Sequence, residues 1–595
     1  MRILLLVSSF NGVSQRVWCS LRAAGHVVSV EFAVSAKAMI DAVETFAPDL
    51  ILCPFLKERV PERIWRTWRT IVLHPGPVGD RGPSALDHAI MDGAPVWGVT
   101  ALQATADMDA GPVWACETFR MPPGPVSKTA LYGGPVADAV MACVEAVVDR
   151  AADPEFTPTP LPLTPRPVSG TGLRPLMRQD DRAFSWQQPA EDIVRRISAA
   201  DGAPGVRATI AGLAVYAYDA LPDFSGRSGR PGAILGQAEG AVLIATGHSR
   251  SGAGGVWLGH LRAVGGVKLP ATRTLRGLVR HAPHLRSTPE PWLTYVRQGP
   301  VGTLTFVPYN GALSTRQCRR LAAALRHAMR QDTRVLVLRG SFQVFCNGIH
   351  LGVIESAEDP AAEAWANIRA INAVCRHLCS RSRQLVISAV TGNAGAGGAM
   401  LPLGADLVLA RTGVVLNPHY DMGVHGSELH TFTLPRRVGD VGARRLLEER
   451  LPVDAEQAQA MGLVDAVGPR DPDEFVAWLA ETAERTGVDG LPGEARRRAD
   501  LVREPLSYYE TIELAEMARD IFDDRHGFAG RRKAFVYKER PAATPPRLAI
   551  HRAGADTVHT RRRSDRTVIA LSGRLAGWAR QAAPERRAVS LLRRQ

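Results

Sequence analysis

The sequence predicts an α/β multidomain protein, and three observations support that prediction. The chain of 595 residues exceeds the ~250–300 residues at which single cores stop growing, so several domains are expected. Two separate regions alternate apolar runs with stretches of helical spacing, and the region between them alternates apolar and polar residues around glycine turns. Apolar residues make up 45% and charged residues 22%, which is typical of a globular protein.

The N-terminal region, residues 1–165, predicts a Rossmann-like, doubly wound sheet. Stretches 13–24 and 35–46 have the spacing of amphipathic helices. Between and around them lie apolar runs typical of buried strands, at 3–7, 27–32, 50–55 and 70–74. Ligands of such sheets collect at the carboxyl ends of the strands, and His74 directly follows the fourth run.

Two further domains and a tail are expected after a proline-rich connector at 154–167. Residues 166–290 predict a small β-barrel domain, because 205–265 alternates apolar and polar residues between glycine turns. Residues 300–540 return to an α/β pattern, with helices dominating from 440 to 525. The last segment, 541–595, is rich in Arg, Ala and Pro, and this composition predicts a disordered basic tail.

The charge distribution argues against nucleic acid as a partner. The net charge is +13, but residues 546–595 alone hold twelve Lys or Arg against three Asp or Glu. The remaining residues are therefore close to neutral, whereas a nucleic-acid-binding domain presents a basic face.

The cysteines and the apolar runs predict a protein of the cytoplasm with no metal centre. None of the eight cysteines forms a CxxC pair, so neither a disulfide framework nor a zinc ribbon is expected. No apolar run reaches the ~18 residues that a membrane span needs. The opening MRILLLVSSFNG is too short in its apolar part for a signal peptide and predicts a buried strand.

The first chemical motif surrounds His74 and Asp109, which both lie in glycine-bearing turns. A histidine can stabilise an oxyanion, and a carboxylate can orient it and relay protons. The stretches HPGPVGDRGPSALDHAIMDGAPVWGVTAL, ATADMDAGPVW and LILCPFLKERVPERIW resemble those of folate-dependent formyltransferases, and RPLMRQDDRAFSWQQPAEDIVRRI resembles the join to the C-terminal barrel of methionyl-tRNA formyltransferases. The resemblance implies N10-formyl-tetrahydrofolate as cofactor and His74 and Asp109 as catalytic residues. It also implies folate contacts from Phe55, Leu56, Lys57, Arg81 and Gly82.

This motif departs from the family pattern at one position. The family has an Asn two residues before the His, to hold the formyl oxygen, and Val72 stands there instead. Asn11 and Gln15, after the first predicted strand, are candidates to supply the missing amide. They are equally well explained as turn and helix-cap residues.

The second motif consists of the loop FCNGIHL, residues 345–351, and the glycine-rich stretch GNAGAGG, residues 392–398. Two backbone N–H groups aimed at one point stabilise a thioester oxyanion, and glycines let a ligand approach the backbone closely. The two stretches resemble the oxyanion loops of the crotonase (enoyl-CoA hydratase/isomerase) superfamily. The resemblance implies a crotonase-like spiral fold, coenzyme A as cofactor, and the N–H groups of Ile349 and Gly397 as the oxyanion hole.

The second motif also departs from its family. Hydratases of that superfamily use two glutamates, and the first of these positions is Met400 here. The region of the second position reads NPHYDMGVHGSELH and offers His419, Tyr420, His425 and Glu428. We expect Tyr420 and Glu428 to be the catalytic groups of this site, and each has a structural alternative.

The order of the modules resembles the HypX/HoxX family of hydrogenase maturation proteins. The resemblance implies that the chain makes carbon monoxide for nickel–iron hydrogenase, forming formyl-CoA in the N-terminal half and decarbonylating it in the crotonase-like half. Small molecules, and hydrogenase maturation proteins that receive CO, are then the expected partners. Two alternatives stay open: a formyltransferase acting on a sugar amine, another amine or Met-tRNA, and a crotonase-like module that binds CoA without catalysis.

Overall fold

The structure, a computed structural model, describes residues 1–249, 251–380, 383–489 and 505–552. The α/β multidomain class is confirmed, since the described residues form four sheets with helices packed around them. All eight cysteines are free, and only Cys116 is exposed.

The first domain is a six-stranded sheet in the order β2-β1-β3-β4-β5-β6, parallel from β1 to β4 and antiparallel from β4 to β6. Its strands are β1 (Arg2–Val7), β2 (Val27–Phe32), β3 (Leu50–Cys53), β4 (Thr70–His74), β5 (Val96–Gln103) and β6 (Val113–Arg120). Its helices are α1 (Gly12–Ala23), α2 (Ala36–Phe46), α3 (Glu62–Thr67), α4 (Ala85–Asp92), α5 (Lys128–Leu131) and α6 (Ala137–Ala152). Alternate residues of β1 enter two different cores, which is why its sequence is continuously apolar.

The second domain is a six-stranded antiparallel sheet. Strands β7 to β11 lie in the order β7-β8-β11-β10-β9, and β12 pairs with β11. The elements are α7 (Ala190–Ala199), β7 (Val206–Ile210), β8 (Leu213–Asp223), β9 (Ile234–Ala238), β10 (Ala241–Ala245), β11 (Gly255–Ala263), β12 (Lys268–Pro270) and α8 (Ala271–Thr274). Helix α7 buries its apolar stripe against this sheet and closes the core of the domain.

The third domain has two sheets, in the orders β13-β14-β15-β17-β19-β22 and β16-β18-β20-β21. The strands are β13 (Leu293–Gln298), β14 (Val301–Phe306), β15 (Val335–Arg339), β16 (Val344–Cys346), β17 (Leu385–Val390), β18 (Asn393–Gly395), β19 (Leu407–Arg411), β20 (Val415–Asn417), β21 (Val453–Asp454) and β22 (Ala466–Gly468). The segment 293–298, which precedes the expected domain start at 300, is thus an edge strand of this domain.

Nine helices surround these two sheets in the part of the third domain that the structure describes. They are α9 (Thr315–Ala328), α10 (Leu351–Glu355), α11 (Pro360–Cys379), α12 (Gly397–Met400), α13 (His430–Glu449), α14 (Ala455–Ala460), α15 (Pro472–Asp489), α16 (Leu506–Phe522) and α17 (Phe528–Val536).

The expected start of the disordered tail at 541 is wrong, because residues 541–552 pack on the first domain. We call this segment the C-terminal strap. It runs along β2, the edge strand of the first sheet, whose Val30 N–H donates to the Leu548 carbonyl over 3.0 Å. Arg552 reaches the buried Glu31 carboxylate of the same strand at 2.6 Å. The rest of the predicted tail, 553–595, lies outside the described residues.

One helical stretch, Lys128–Ala152, is long and apolar enough to cross a membrane by length and composition alone. Half of its apolar window is buried inside the protein, and Val140, Val144 and Val147 belong to the core of the first domain. The apolar character of this stretch is therefore explained by its packing in the core of the first domain.

Candidate active sites

The first site is built at the carboxyl end of β4, where His74 lies between two carboxylates. Its Nε2 is 2.8 Å from Oδ2 of Asp80, and its Nδ1 is 3.4 Å from Oδ2 of Asp109. Asp109 has a left-handed backbone with φ of 50°, and its carboxylate also accepts the Gly82 N–H over 2.9 Å. The structure therefore brings His74, Asp109 and Gly82 together, as the motif predicts.

Asp80 is a member of this site that the sequence reasoning missed, although it lies inside the quoted motif. Its side chain is 1% exposed, and its Oδ1 has no hydrogen-bond partner among the residues that the structure describes. A Cβ at position 76 would overlap the Asp80 carboxylate and approach Nε2 of His74, so Gly76 is required for their contact. A carboxylate six residues after a histidine on a tight glycine turn is the signal that could have identified it.

The predicted folate-contact residues lie at the ends of neighbouring strands of the same sheet. The ring of Phe55, after β3, makes an edge contact with Tyr132 at 5.8 Å between centroids. The Lys57 N–H donates to Ser8 Oγ after β1, and Leu56 packs on the core beneath. Arg81 donates from Nε to the Met108 carbonyl, one residue before Asp109.

The two candidates for the missing amide both have structural roles. Asn11 is the N-cap of α1, accepting the Ser14 N–H through Oδ1 at 3.0 Å, and its Nδ2 lies 3.3 Å from the Tyr132 hydroxyl. Gln15 donates from Nε2 to the Phe10 carbonyl and accepts from Nδ2 of Asn417 in the third domain. Gln15 therefore links the first domain to the third.

The second site brings the two predicted oxyanion-hole segments together. The Gly348–Ile349 loop approaches the start of α12, since a Cβ at position 348 would lie 3.4 Å from the Gly397 nitrogen. In the described part of the chain, neither Ile349 nor Gly397 donates its N–H in a backbone hydrogen bond. Ala396 adopts φ of 49° and ψ of −127°, a strained conformation of the kind that clusters at functional sites.

Tyr420 and Glu428 are in direct contact at this site. The Tyr420 hydroxyl is 2.6 Å from Oε2 of Glu428, and the Glu428 carboxyl packs so closely on Gly397 that a Cβ there would overlap it. Burial raises the pKa of Glu428 to about 7, against the opposing hydrogen bond from Tyr420. Burial also raises the pKa of Tyr420 well above its ordinary value, with the Glu428 charge as a further cause.

Two residues distant in sequence position Glu428, and the sequence reasoning missed both. Glu428 and Leu429 have φ of 65° and 57°, a left-handed conformation that is unfavourable for both. The Asn372 side chain accepts the Glu428 N–H over 2.9 Å, and Glu513 accepts the Leu429 N–H over 2.9 Å. Glu513 also accepts from the backbone and hydroxyl of Thr431, so α11 and α16 together hold this turn.

Neither His419 nor His425 makes a hydrogen bond to Glu428 in the described structure. His419 is buried with neither ring nitrogen paired, and burial lowers its pKa to about 4. His425 donates its backbone N–H to Asp520, and its ring lies 5.4 Å from that of His430. Met400, at the first hydratase position, is fully buried in the hydrophobic core.

A cavity of about 1260 Å³ lies between the domains and is lined by all three. Its walls include Asn11 and Tyr132 from the first domain and Asn393 from β18, the strand that leads to Gly397. Gly12 packs so tightly on Asn393 that a Cβ there would lie 2.8 Å from Nδ2. The cavity thus borders elements of both sites.

Comparisons with known proteins agree with this division. Residues 176–279 match a family model described as formyl transferase, C-terminal domain, and residues 302–489 match one described as enoyl-CoA hydratase/isomerase. A methionyl-tRNA formyltransferase of Burkholderia ambifaria is 30% identical over 198 residues, 33% of this chain and 57% of that protein. A formyltransferase module fused to an enoyl-CoA hydratase-like module is the class that the fold and sites define.

The similarity to one such fusion extends over almost the whole chain. The hydrogenase maturation factor HoxX of Bradyrhizobium diazoefficiens is 37% identical over 562 residues, which is 93% of this chain and 97% of that one. The crystal structure of HypX from Aquifex aeolicus in complex with tetrahydrofolic acid superposes with a TM-score of 0.86 at 35% identity, over 93% of this chain and 99% of that chain. The chain belongs to the HoxX/HypX family of hydrogenase maturation factors.

Proposed function

We propose that this protein makes carbon monoxide for the active site of nickel–iron hydrogenase. It transfers a formyl group from N10-formyl-tetrahydrofolate to CoA and then releases CO from formyl-CoA. The observation that carries the proposal is the Tyr420–Glu428 pair beside Gly397, because it supplies an acid and a base at a thioester-type oxyanion hole. Met400 stands at the first glutamate position of the hydratases, so this site lacks that glutamate.

The first step uses the His74 site. The CoA sulfur attacks the formyl carbon, the C–N10 bond breaks, and the thiol proton ends on N10 of tetrahydrofolate. His74 and Asp109 face this reaction as oxyanion stabiliser and proton relay, and the side chains after β1 and β3 bind the folate. Support for a folate donor comes from the tetrahydrofolic acid complex of the Aquifex aeolicus relative.

The cavity between the domains is the proposed binding site for CoA. Arg273 and Arg316 line it, and in the described structure neither guanidinium has a carboxylate partner. Arg320, also in the wall, pairs with Glu239 and lies over the Trp292 ring. These cations fit the phosphates of CoA. The cavity wall includes Asn11 and Tyr132 near the first site and Asn393 near the second, so we infer that the thiol arm of a bound CoA reaches each site.

The second step releases CO from formyl-CoA, and the protein is neither oxidised nor reduced. Formyl-CoA binds with its oxygen between the N–H groups of Ile349 and Gly397. The Glu428 carboxylate takes the formyl proton, the C–S bond breaks, and the Tyr420 hydroxyl protonates the departing thiolate. The proton then returns from Glu428 to Tyr420 along their 2.6 Å hydrogen bond, so CO and CoA are the products.

Synthetic formyl-CoA as the sole substrate tests this step in isolation. The purified protein should release CO and free CoA in equal amounts. Release of formate without CO would show that the second site acts as a thioesterase. No turnover at all would favour the alternative, an amine formyltransferase with a CoA-binding but non-catalytic module. We place the reaction in the cytoplasm, with hydrogenase maturation proteins as recipients of the CO.

A further inference from the structure

A groove of about 530 Å³ lies between α9, α11 and α16 of the third domain. It shares no lining residue with the cavity between the domains. Ala366, Ala370 and Ala373 recur along one face of α11 and line it, together with Trp365. Because these three side chains are small, they leave room between the helices for a ligand.

Three arginine side chains line this groove. Arg319 of α9 and Arg369 of α11 are exposed, and neither pairs with a carboxylate among the residues that the structure describes. Arg376 pairs with Glu510, the one carboxylate among the described lining residues. The groove therefore carries a net positive charge, and its guanidinium groups have the planar geometry that binds carboxylates in a bidentate manner.

The spacing of the charges favours an extended ligand over a single anion. Arg369 and Arg376 are seven residues apart on α11, which separates them by ~10 Å along the helix axis. One phosphate or carboxylate ion reaches only one of them, whereas successive acidic side chains of a peptide reach both. Apolar side chains of the same peptide would pack on Ala370 and Ala373 and against Trp365.

We propose that this groove binds an acidic segment of a partner protein. Arginine and tryptophan are enriched in protein interfaces. On α16, Tyr508 and Ile512 are 62% and 42% exposed and add apolar surface next to the lining residues Ser507 and Thr511. The chain's own residues 546–595 do not fit the groove, because they hold twelve Lys or Arg against three Asp or Glu.

The groove lies on the two helices that hold the catalytic turn of the second site. Asn372 of α11 and Glu513 of α16 accept the backbone N–H groups of that turn. Oε1 of Glu510, in the groove wall, lies 3.5 Å from Nδ2 of Asn372. A bound partner would thus sit on the domain to which we assign CO release. Its role as a recipient of CO rests on the proposed function, whereas the binding itself does not.

Binding is tested on the full-length protein by fluorescence anisotropy of a labelled peptide of alternating glutamate and leucine with blocked ends. The wild type should bind this peptide, with an affinity that falls as salt is added, and should not bind the corresponding lysine–leucine peptide. Arg319→Ala combined with Arg369→Ala should weaken binding about 10-fold or more. Arg330→Ala combined with Arg444→Ala removes two exposed arginines of the same domain outside the groove, and should leave the affinity unchanged.

Equal affinities of the two double variants would overturn the proposal, as would no binding by the wild type. Displacement of the labelled peptide by ATP at lower concentrations than by unlabelled peptide would overturn it in favour of a nucleotide site. Self-association of the wild type that is lost in the Arg319/Arg369 variant would overturn it in favour of a second copy of the chain. Both double variants should release CO from synthetic formyl-CoA as the wild type does. If the wild type releases none, the proposed function fails, and the peptide measurement still decides this inference.

Discussion

The Tyr420 hydroxyl donates to Oε2 of Glu428 over 2.6 Å, and the same carboxyl packs on the Cα of Gly397. This contact joins a phenol, a carboxyl group and a helix N-terminus at one point. Because the glutamate is buried with a pKa raised to about 7, it can exchange a proton near neutral pH. The arrangement differs from that of a hydratase, whose first glutamate position is the buried Met400.

Removing either member of the pair should stop the second step and spare the first. Tyr420→Phe and Glu428→Gln should each lower CO release by about 10²–10⁴-fold, while formyl-CoA accumulates from formyl-tetrahydrofolate and CoA. Liquid chromatography of the CoA esters measures the accumulation. Synthetic formyl-CoA should not rescue either variant, and parental CO release from both would show that other residues do this chemistry.

Gly397→Ala should also block CO release, for a steric reason. A Cβ at this position overlaps the Glu428 carboxyl, so the glutamate or the N-terminus of α12 must move away from the oxyanion. We expect a loss of about 10²-fold in CO release with formyl transfer retained. Gly530→Ala is the matched control, because a Cβ in that exposed part of α17 meets nothing within 4 Å. Equal CO yields from the two variants would contradict the assigned geometry.

Much of the first site could be predicted from the sequence because it is local. Strands β2 and β4 have the predicted bounds, and most of their residues are buried on both faces of the sheet. His74 and Asp109 could be assigned because the stretches around them resemble those of formyltransferases. Asp80 was missed because a carboxylate in a turn is usually solvated, and only the fold buries it against His74.

The residues that position Glu428 in the second site could not be predicted, because they come from distant parts of the chain. Asn372 and Glu513 reach Glu428 and its neighbour from α11 and α16, and neither has a local motif. The C-terminal strap was missed for a similar reason. Its composition of Pro, Ala and Arg is typical of disorder, whereas the free edge of β2 supplies the backbone donors that order it.

The strap leads to a prediction about stability. A chain ending at 541 should lose roughly 3 kcal/mol or more from the stability of the first domain, because Val30 loses its acceptor and the buried Glu31 loses Arg552. The first calorimetric transition should fall by about 5 °C or more. A chain ending at 552 keeps the strap and serves as the control. Identical transitions for the two truncated chains would mean that the strap contributes nothing.

The raised pKa of Glu428 predicts how its removal affects stability at different pH values. The folded protein keeps this proton up to about pH 7, whereas the unfolded chain releases it near the ordinary value of 4.5. The wild type therefore loses stability as pH rises between these values, by roughly 1–3 kcal/mol. Glu428→Gln lacks this loss, so its stability relative to the wild type should increase from pH 5 to pH 8. Denaturant unfolding at the two pH values measures the difference, and a relative stability that does not change with pH would place the pKa of Glu428 near its ordinary value.

The central claim is that one formyl carbon passes through both sites and leaves as CO. The most direct measurement supplies N10-formyl-tetrahydrofolate labelled with ¹³C in the formyl group and analyses the headspace gas by mass spectrometry. We predict ¹³CO in amounts equal to the tetrahydrofolate formed, only when CoA is present, and none above background from Glu428→Gln. Consumption of the labelled donor with CoA present, yielding ¹³C-formate and no ¹³CO, would contradict the account.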